Sequence, residues 1–218
     1  YFLSSGDKIR CFFEEEAFDD KGALKQNLAL SINKIGHALH DLDDVFDKFS
    51  RADNVCNLVA SLPLEDPRAL QSMYIFKQPH IGGEVTYHQD ATYLYTEPSS
   101  VIGLWWALED TTIENGCLWA WPGGHREAVR SRFIRNADNT VSYDLFDDTP
   151  WPEDKFVPLE VPKGTLVVFD GNLPHGSAPN RSDHSRHAYS LHVIDGTKPY
   201  PAANWLQRDP ALPLQGFK

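Results

Sequence analysis

Gly82-Gly83-Glu84-Val85-Thr86-Tyr87-His88-Gln89-Asp90 is the stretch whose reading decides the rest of the chain. The paired glycines make a turn, and residues 84–90 then read as a short strand. Residues two apart on a strand point to the same face. His88 and Asp90 therefore share one. An imidazole and a carboxylate side by side on a rigid face supply two-thirds of a metal site.

Outward from this stretch the pattern is that of β-structure. Gln71–Gln78 (QSMYIFKQ) alternates and is aromatic, like a strand. Val101–Glu109 (VIGLWWALE) is almost continuously apolar, as a buried strand is, and Gly116–Pro122 (GCLWAWP) is another. Gly164–Asp170 (GTLVVFD) and Arg186–Asp195 (RHAYSLHVID) complete the set, with Asn172–Asn180 as a loop holding His175. Residues 126–158 form a charged insert with little periodicity, of the length of a functional or mobile loop. About six short strands, with no strand–helix alternation after residue 71, count against a parallel doubly wound sheet. They predict a mainly β fold with flanking helices: a double-stranded β-helix, or jelly-roll, of cupin-like form.

The first third reads differently. Ile32, Ile35, Leu39 and Leu42 follow a helical period with Ser31 as cap. Asp53 is placed to cap a second short helix carrying Val55, Leu58, Val59 and Leu62, which Pro63 and Pro67 end. The expectation is one domain over residues 1–218, helical to about residue 67 and jelly-roll from about 70 to 196.

Bulk properties narrow the partners. A net charge of -11 over 218 residues argues against nucleic acid or an anionic membrane. No apolar run approaches the roughly 18 residues that span a bilayer. Cys11, Cys56 and Cys117 are widely spaced and form no C-x-x-C pair, which predicts a reducing, intracellular and cytoplasmic setting. We expect a monomer acting on a small molecule.

A third metal ligand has to come from elsewhere in the chain. His175 is the first choice, because it follows the apolar strand 165–170 closely and so sits near a sheet rim. His184, His187 and His192 are rivals; His192 could face the barrel interior but follows Arg186, the wrong order for this site. Two histidines and a carboxylate on one side of an ion leave three octahedral positions open, the pattern of non-haem iron(II) oxygenases. Those positions suit 2-oxoglutarate, which takes two, and dioxygen, which takes one. Arg186, eleven residues after His175, offers a guanidinium fork for the distal carboxylate of the oxo-acid. A cupin-type isomerase or hydrolase with zinc or manganese, and a non-catalytic ligand-binding relative, are the alternatives.

At this point the chain resembles the phytanoyl-CoA dioxygenase family of iron(II)/2-oxoglutarate oxygenases. The resemblance rests on YFLSSGDKIR at 1–10, SINKIGHALH at 31–40, QSMYIFKQP at 71–79 and the opening stretch. ENGCLW at 114–119, PGGH at 122–125 and the spacing from His175 to Arg186 extend it. It implies iron ligands at His88, Asp90 and His175, and 2-oxoglutarate contacts at Lys34, Met73, Trp106, Ser177 and Arg186. It implies hydroxylation of a small molecule, an acyl-CoA among the candidates, with release of succinate and carbon dioxide. A carboxylate at Asp90 favours hydroxylation over halogenation, which needs that ligand position free for a halide. Arg126, Arg130, Arg132 and Arg135 are the basic residues a CoA phosphate would want. The chain departs from the family in two ways: the family domain carries further N-terminal sequence, and Trp-Ala-Trp at 119–121 is unusually aromatic.

Overall fold

Alternating side chains build two facing antiparallel sheets in the computed structural model, which describes residues 1–217. The larger sheet holds β1 (Ile9–Phe13), β2 (Ile32–His37), β3 (Pro67–Ile75), β5 (Ile102–Ala107), β10 (Leu166–Asp170) and β12 (Ala188–Asp195). Its spatial order is β1-β2-β3-β12-β5-β10. The smaller sheet holds β4 (Val85–His88), β6 (Leu118–Ala120), β9 (Val157–Leu159) and β11 (His175–Ser177), in the order β4-β11-β6-β9. This is the jelly-roll: from β3 to β6 and from β9 to β12 successive strands alternate between the two sheets, and both sheets pair non-sequential strands.

Register assigns the faces. Residues directly opposite each other in a ladder point the same way. Tyr189 pairs with Trp106, and Leu191 with Leu104. These four join Val193, Ala69, Leu39, Val55 and Val59 in a core on the outer face of the larger sheet. Helices α2 (Asp44–Ser50) and α3 (Asp53–Ala60) cover that face through Phe46, Val55, Leu58 and Val59. Each such side chain, fully buried, contributes roughly 1.5–3 kcal/mol of transfer free energy. The inner face carries the other parity. Ser190 pairs with both Met73 and Trp105, His192 with Gly103, and Phe169 with Gly103.

The N-terminal third corrects the helical expectation. Residues 9–13 and 32–37 are strands β1 and β2, and the helices are α1 (Leu39–Leu42), α2 and α3. Ile32 and Ile35 lie in β2 and Leu39 and Leu42 in α1, so one helical period was imitated by two elements. Ser31 caps no α-helix; its hydroxyl donates to the Asn27 carbonyl. Helix α3 carries Val55, Leu58 and Val59 as expected but ends at Ala60, short of Leu62; Ala52 is its N-cap and Asp53 lies in its first turn. Asp43 caps α2 instead, accepting from the Val45 and Phe46 N–H groups.

Two loop expectations also change. The insert folds partly into a hairpin of β7 (Ser131–Arg135) and β8 (Val141–Leu145), and β9 lies near its end. His175 is on strand β11, paired with His88 of β4. No helix among the described residues is long and apolar enough to cross a membrane.

Candidate metal centre

The pairing of β4 with β11 sets His88 directly opposite His175, with ring centroids 4.4 Å apart. Asp90 lies two residues beyond His88, in a turn that follows β4. One ligand atom from each of the three lies within 4.8 Å of the others, close enough to hold one ion. Asp90 Oδ1 is 3.5 Å from His88 Nε2 and 3.7 Å from His175 Nε2.

Backbone contacts orient both imidazoles. His88 Nδ1 lies 2.9 Å from the Thr86 carbonyl, and His175 Nδ1 lies 2.9 Å from the Leu173 carbonyl. A carbonyl only accepts, so each Nδ1 carries a proton and each Nε2 is the atom turned toward Asp90 and the common point. Metal-ligating histidines are oriented this way, by a second hydrogen bond on the far nitrogen. The opposite sheet completes the site. His192 Nε2 lies 3.1 Å from Asp90 Oδ2, and the Phe169 ring packs 4.7 Å from that of His175.

Charge follows from this packing. Burial would raise the Asp90 carboxyl, yet the His192 and His175 rings hold it well below the usual carboxylate range. Burial pulls His175 down to about 4 against the attraction of Asp90. Burial opposes a charge on His88 too, but the Asp90 carboxylate outweighs it and leaves the ring raised. The ionised carboxylate and the neutral His175 are the protonation states a divalent cation needs.

Arg186 lies just before β12, 2 % exposed. Its Nε donates to the Gly116 carbonyl at 3.0 Å, and its guanidinium carbon sits 5.3 Å from the Trp105 ring centroid. Nη1 is buried with no partner. Burial lowers the group to about 10, so it stays charged at neutral pH. A buried guanidinium with an idle donor and no carboxylate in contact fits an incoming carboxylate. Ser177 is buried on β11, and its hydroxyl accepts from Lys77 Nζ at 2.8 Å.

The remaining expected contacts divide. Met73 lies on the inner face, opposite Ser190. Lys34 lies opposite Ile75 and, across β1, opposite Phe12; burial lowers its ammonium and Glu14 partly restores it. Trp106 is a correction. It belongs to the outer core, packed 5.2 Å edge-on to Phe49 and 5.7 Å from Tyr189. The inward tryptophan is its neighbour Trp105, which shares parity with Gly103. A Cβ on Gly103 would lie 3.3 Å from Asp90 Oδ2, which fixes that parity as inward. Of the rival histidines, His184 is exposed and His187 bonds the Tyr74 hydroxyl at 3.0 Å. His192 is inward but meets Asp90 rather than the common point.

Sequence reasoning passed over Lys77, Trp105 and the role of His192. One signal could have found Lys77: in the run 71–78 it falls two and four residues after Ile75 and Met73, although β3 itself ends at Ile75. Above the cluster a cleft of about 310 Å³ opens between His88, Tyr87 and Tyr93 on one side and Leu145, Asp147 and Trp151 on the other.

Fold and site together define a metal-dependent oxygenase of the jelly-roll class. The family described as Phytanoyl-CoA dioxygenase (PhyH) matches residues 1–188. A rice (Oryza sativa subsp. japonica) protein named Phytanoyl-CoA dioxygenase 1 is 54% identical over 220 residues, 98% of this chain and 76% of its own length. Among solved structures, EctD from S. alaskensis, determined with bound Fe, superposes with a TM-score of 0.63 at 21% identity over 89% of this chain and 74% of its own. EvdO2 from Micromonospora carbonacea var. aurantiaca, complexed with 2-oxoglutarate, gives a TM-score of 0.52 at 27% identity over 79% of this chain and 66% of its own. The chain belongs to the phytanoyl-CoA dioxygenase family.

Proposed function

We propose that the chain is an iron(II)/2-oxoglutarate-dependent dioxygenase that hydroxylates a small molecule, consuming dioxygen and releasing succinate and carbon dioxide. The observation that carries this reading is the idle Nη1 of buried Arg186 inside the same barrel as the His88, Asp90 and His175 cluster. A free guanidinium donor in that barrel fits the distal carboxylate of an oxo-acid, which favours this reading over a zinc or manganese isomerase on the same three ligands. The 2-oxoglutarate bound by the solved EvdO2 structure supports the same choice.

His88, Asp90 and His175 would hold the iron, which when bound supplies oxygen activation through the oxidative decarboxylation of 2-oxoglutarate. The chain's own part is positioning. His192 holds the Asp90 carboxylate, and the Thr86 and Leu173 carbonyls hold the two rings. Arg186 and Ser177 receive the distal carboxylate of the oxo-acid, with Met73 and Trp105 as walls. Lys34 adds positive charge toward His88.

The prime substrate enters the cleft at Tyr87, Tyr93 and Trp151. Three of the four arginines that a CoA thioester would want are engaged within the chain. Arg130 lies 3.8 Å over Trp151 and 3.5 Å from Asp147. Arg132 pairs with Glu97, and Arg135 bonds Asn139 Oδ1 at 2.8 Å. A compact substrate without phosphates suits this mouth better than a CoA thioester.

Succinate formation from 2-oxoglutarate tests the reading directly. It is expected in air, to depend on added iron(II), and to vanish in His88→Ala. No succinate under aerobic, iron-replete conditions would overturn it.

A further inference from the structure

Lys77 lies two residues past β3 and is 2 % exposed. Its ammonium donates to the Gly83 carbonyl and to Ser177 Oγ, both at 2.8 Å. Neither partner is an anion, and the third proton is free. Arg186 lies close enough to repel it, equally buried and with its own idle Nη1. Two neighbouring buried cations with no carboxylate in hydrogen-bond contact are costly to hold. The other titratable groups that reach Lys77 are Glu14, Glu84 and Cys117, whose thiol is kept neutral by burial. Glu14 is already committed, accepting from Asn33 Nδ2 at 2.7 Å and from the Gly83 N–H at 3.0 Å.

The surrounding backbone makes room for this lysine. Gly116 has φ +80, and a Cβ there would lie 2.4 Å from Lys77 Cε. Only glycine accommodates both the conformation and the passing side chain. The same residue gives its carbonyl to Arg186 Nε. Lys34 is not among the charges that reach Lys77; its own is felt by His88 and His37.

The geometry points to Lys77 as a further co-substrate residue: with Arg186 it forms a two-cation seat for the distal carboxylate of the oxo-diacid, and it holds the Ser177 hydroxyl at the edge of that seat. This rests on the 2-oxoglutarate reading above. Burial, with Arg186 beside it, brings the Lys77 ammonium down to about 7. A bound carboxylate would restore its charge.

The test compares two oxo-acids that share a keto-acid end. 2-Oxoglutarate has the distal carboxylate and 2-oxovalerate lacks it. Each is titrated calorimetrically into Mn(II)-loaded wild type and Lys77→Met. The variant is expected to lose about ten- to a hundredfold in affinity for 2-oxoglutarate, the scale of a charge-assisted hydrogen bond. Its affinities for 2-oxovalerate and Mn(II) are expected to stay at the wild-type values. An equal loss for both acids would make Lys77 merely structural, and no loss would leave it idle; either overturns the proposal. If Lys77→Met does not fold, Lys77→Gln goes through the same pair. Wild type that binds neither acid would remove the co-substrate reading and the seat with it.

Discussion

His192 Nε2 and Asp90 Oδ2, 3.1 Å apart, join the two sheets at the metal centre. Asp90 comes from the turn after β4 in the smaller sheet, and His192 from β12 in the larger. The imidazole N–H holds one carboxylate oxygen, leaving the other for the ion. Such outer contacts are worth about ten- to a hundredfold in metal affinity. His192→Phe should lose that much in an Fe(II) or Mn(II) titration, and His192→Gln, which keeps a donor, should recover part of it. A metal affinity unchanged in His192→Phe would show that Asp90 needs no such support.

Gly176 separates His175 from Ser177 on β11 and lies tight against β4. A Cβ there would meet the Val85 carbonyl at 2.6 Å and Tyr87 Cδ1 at 2.8 Å. The backbone atom cannot swing away as a side chain does, so the strands must part. Gly176→Ala should cost about 1–3 kcal/mol in chemical denaturation, the range of overpacking. It should also weaken metal binding, because the same displacement moves His175 from His88. Stability lost with metal affinity intact would show that the strain is absorbed away from the ligands.

The jelly-roll core was legible because its strands are buried, short and separated by clear turns. The N-terminal strands were not. Ile32, Ile35, Leu39 and Leu42 repeat at helical spacing, yet β2 is fixed by its ladders to β1 and β3, which local sequence does not encode. His175 read as a loop residue because β11 is only three residues long and exists through pairing with β4 and β6. The triad itself was readable from residue types and order. Its supports were less so. In a run such as Leu104-Trp105-Trp106-Ala107, composition cannot say which tryptophan faces inward; only register against β12 and the inward Gly103 decide it.

That decision can be measured. Trp106 is 7 % exposed and packs on Phe49 and Tyr189 under the helices, whereas Trp105 stands over Arg186 between the sheets. Trp106→Phe should lower stability by about 1–3 kcal/mol and leave 2-oxoglutarate affinity unchanged. Trp105→Phe should reduce that affinity several-fold. The reverse pattern would return Trp106 to the pocket.

His37 gives the fold a pH dependence separate from the metal ligands. It is 1 % exposed, with Trp205 edge-on at 5.0 Å and Phe2 edge-on at 5.7 Å. Its Nδ1 lies 2.8 Å from Ser5 Oγ, whose own proton goes to the Phe2 carbonyl, so the ring donates there. Burial, with Lys34 and His192 nearby, lowers it to about 3 from an ordinary value of 6.5. The unfolded chain therefore takes up a proton below about pH 6.5 that the folded chain refuses until about pH 3. Stability from this group is complete above pH 6.5 and drains as the pH falls through that window. By pH 4.5 the loss should be on the order of 3 kcal/mol, since one proton is worth about 1.4 kcal/mol per pH unit. Urea midpoints at pH 7 and pH 4.5 should converge less in wild type than in His37→Gln, whose amide does not titrate. Parallel losses in the two proteins would show that His37 is protonated within the fold.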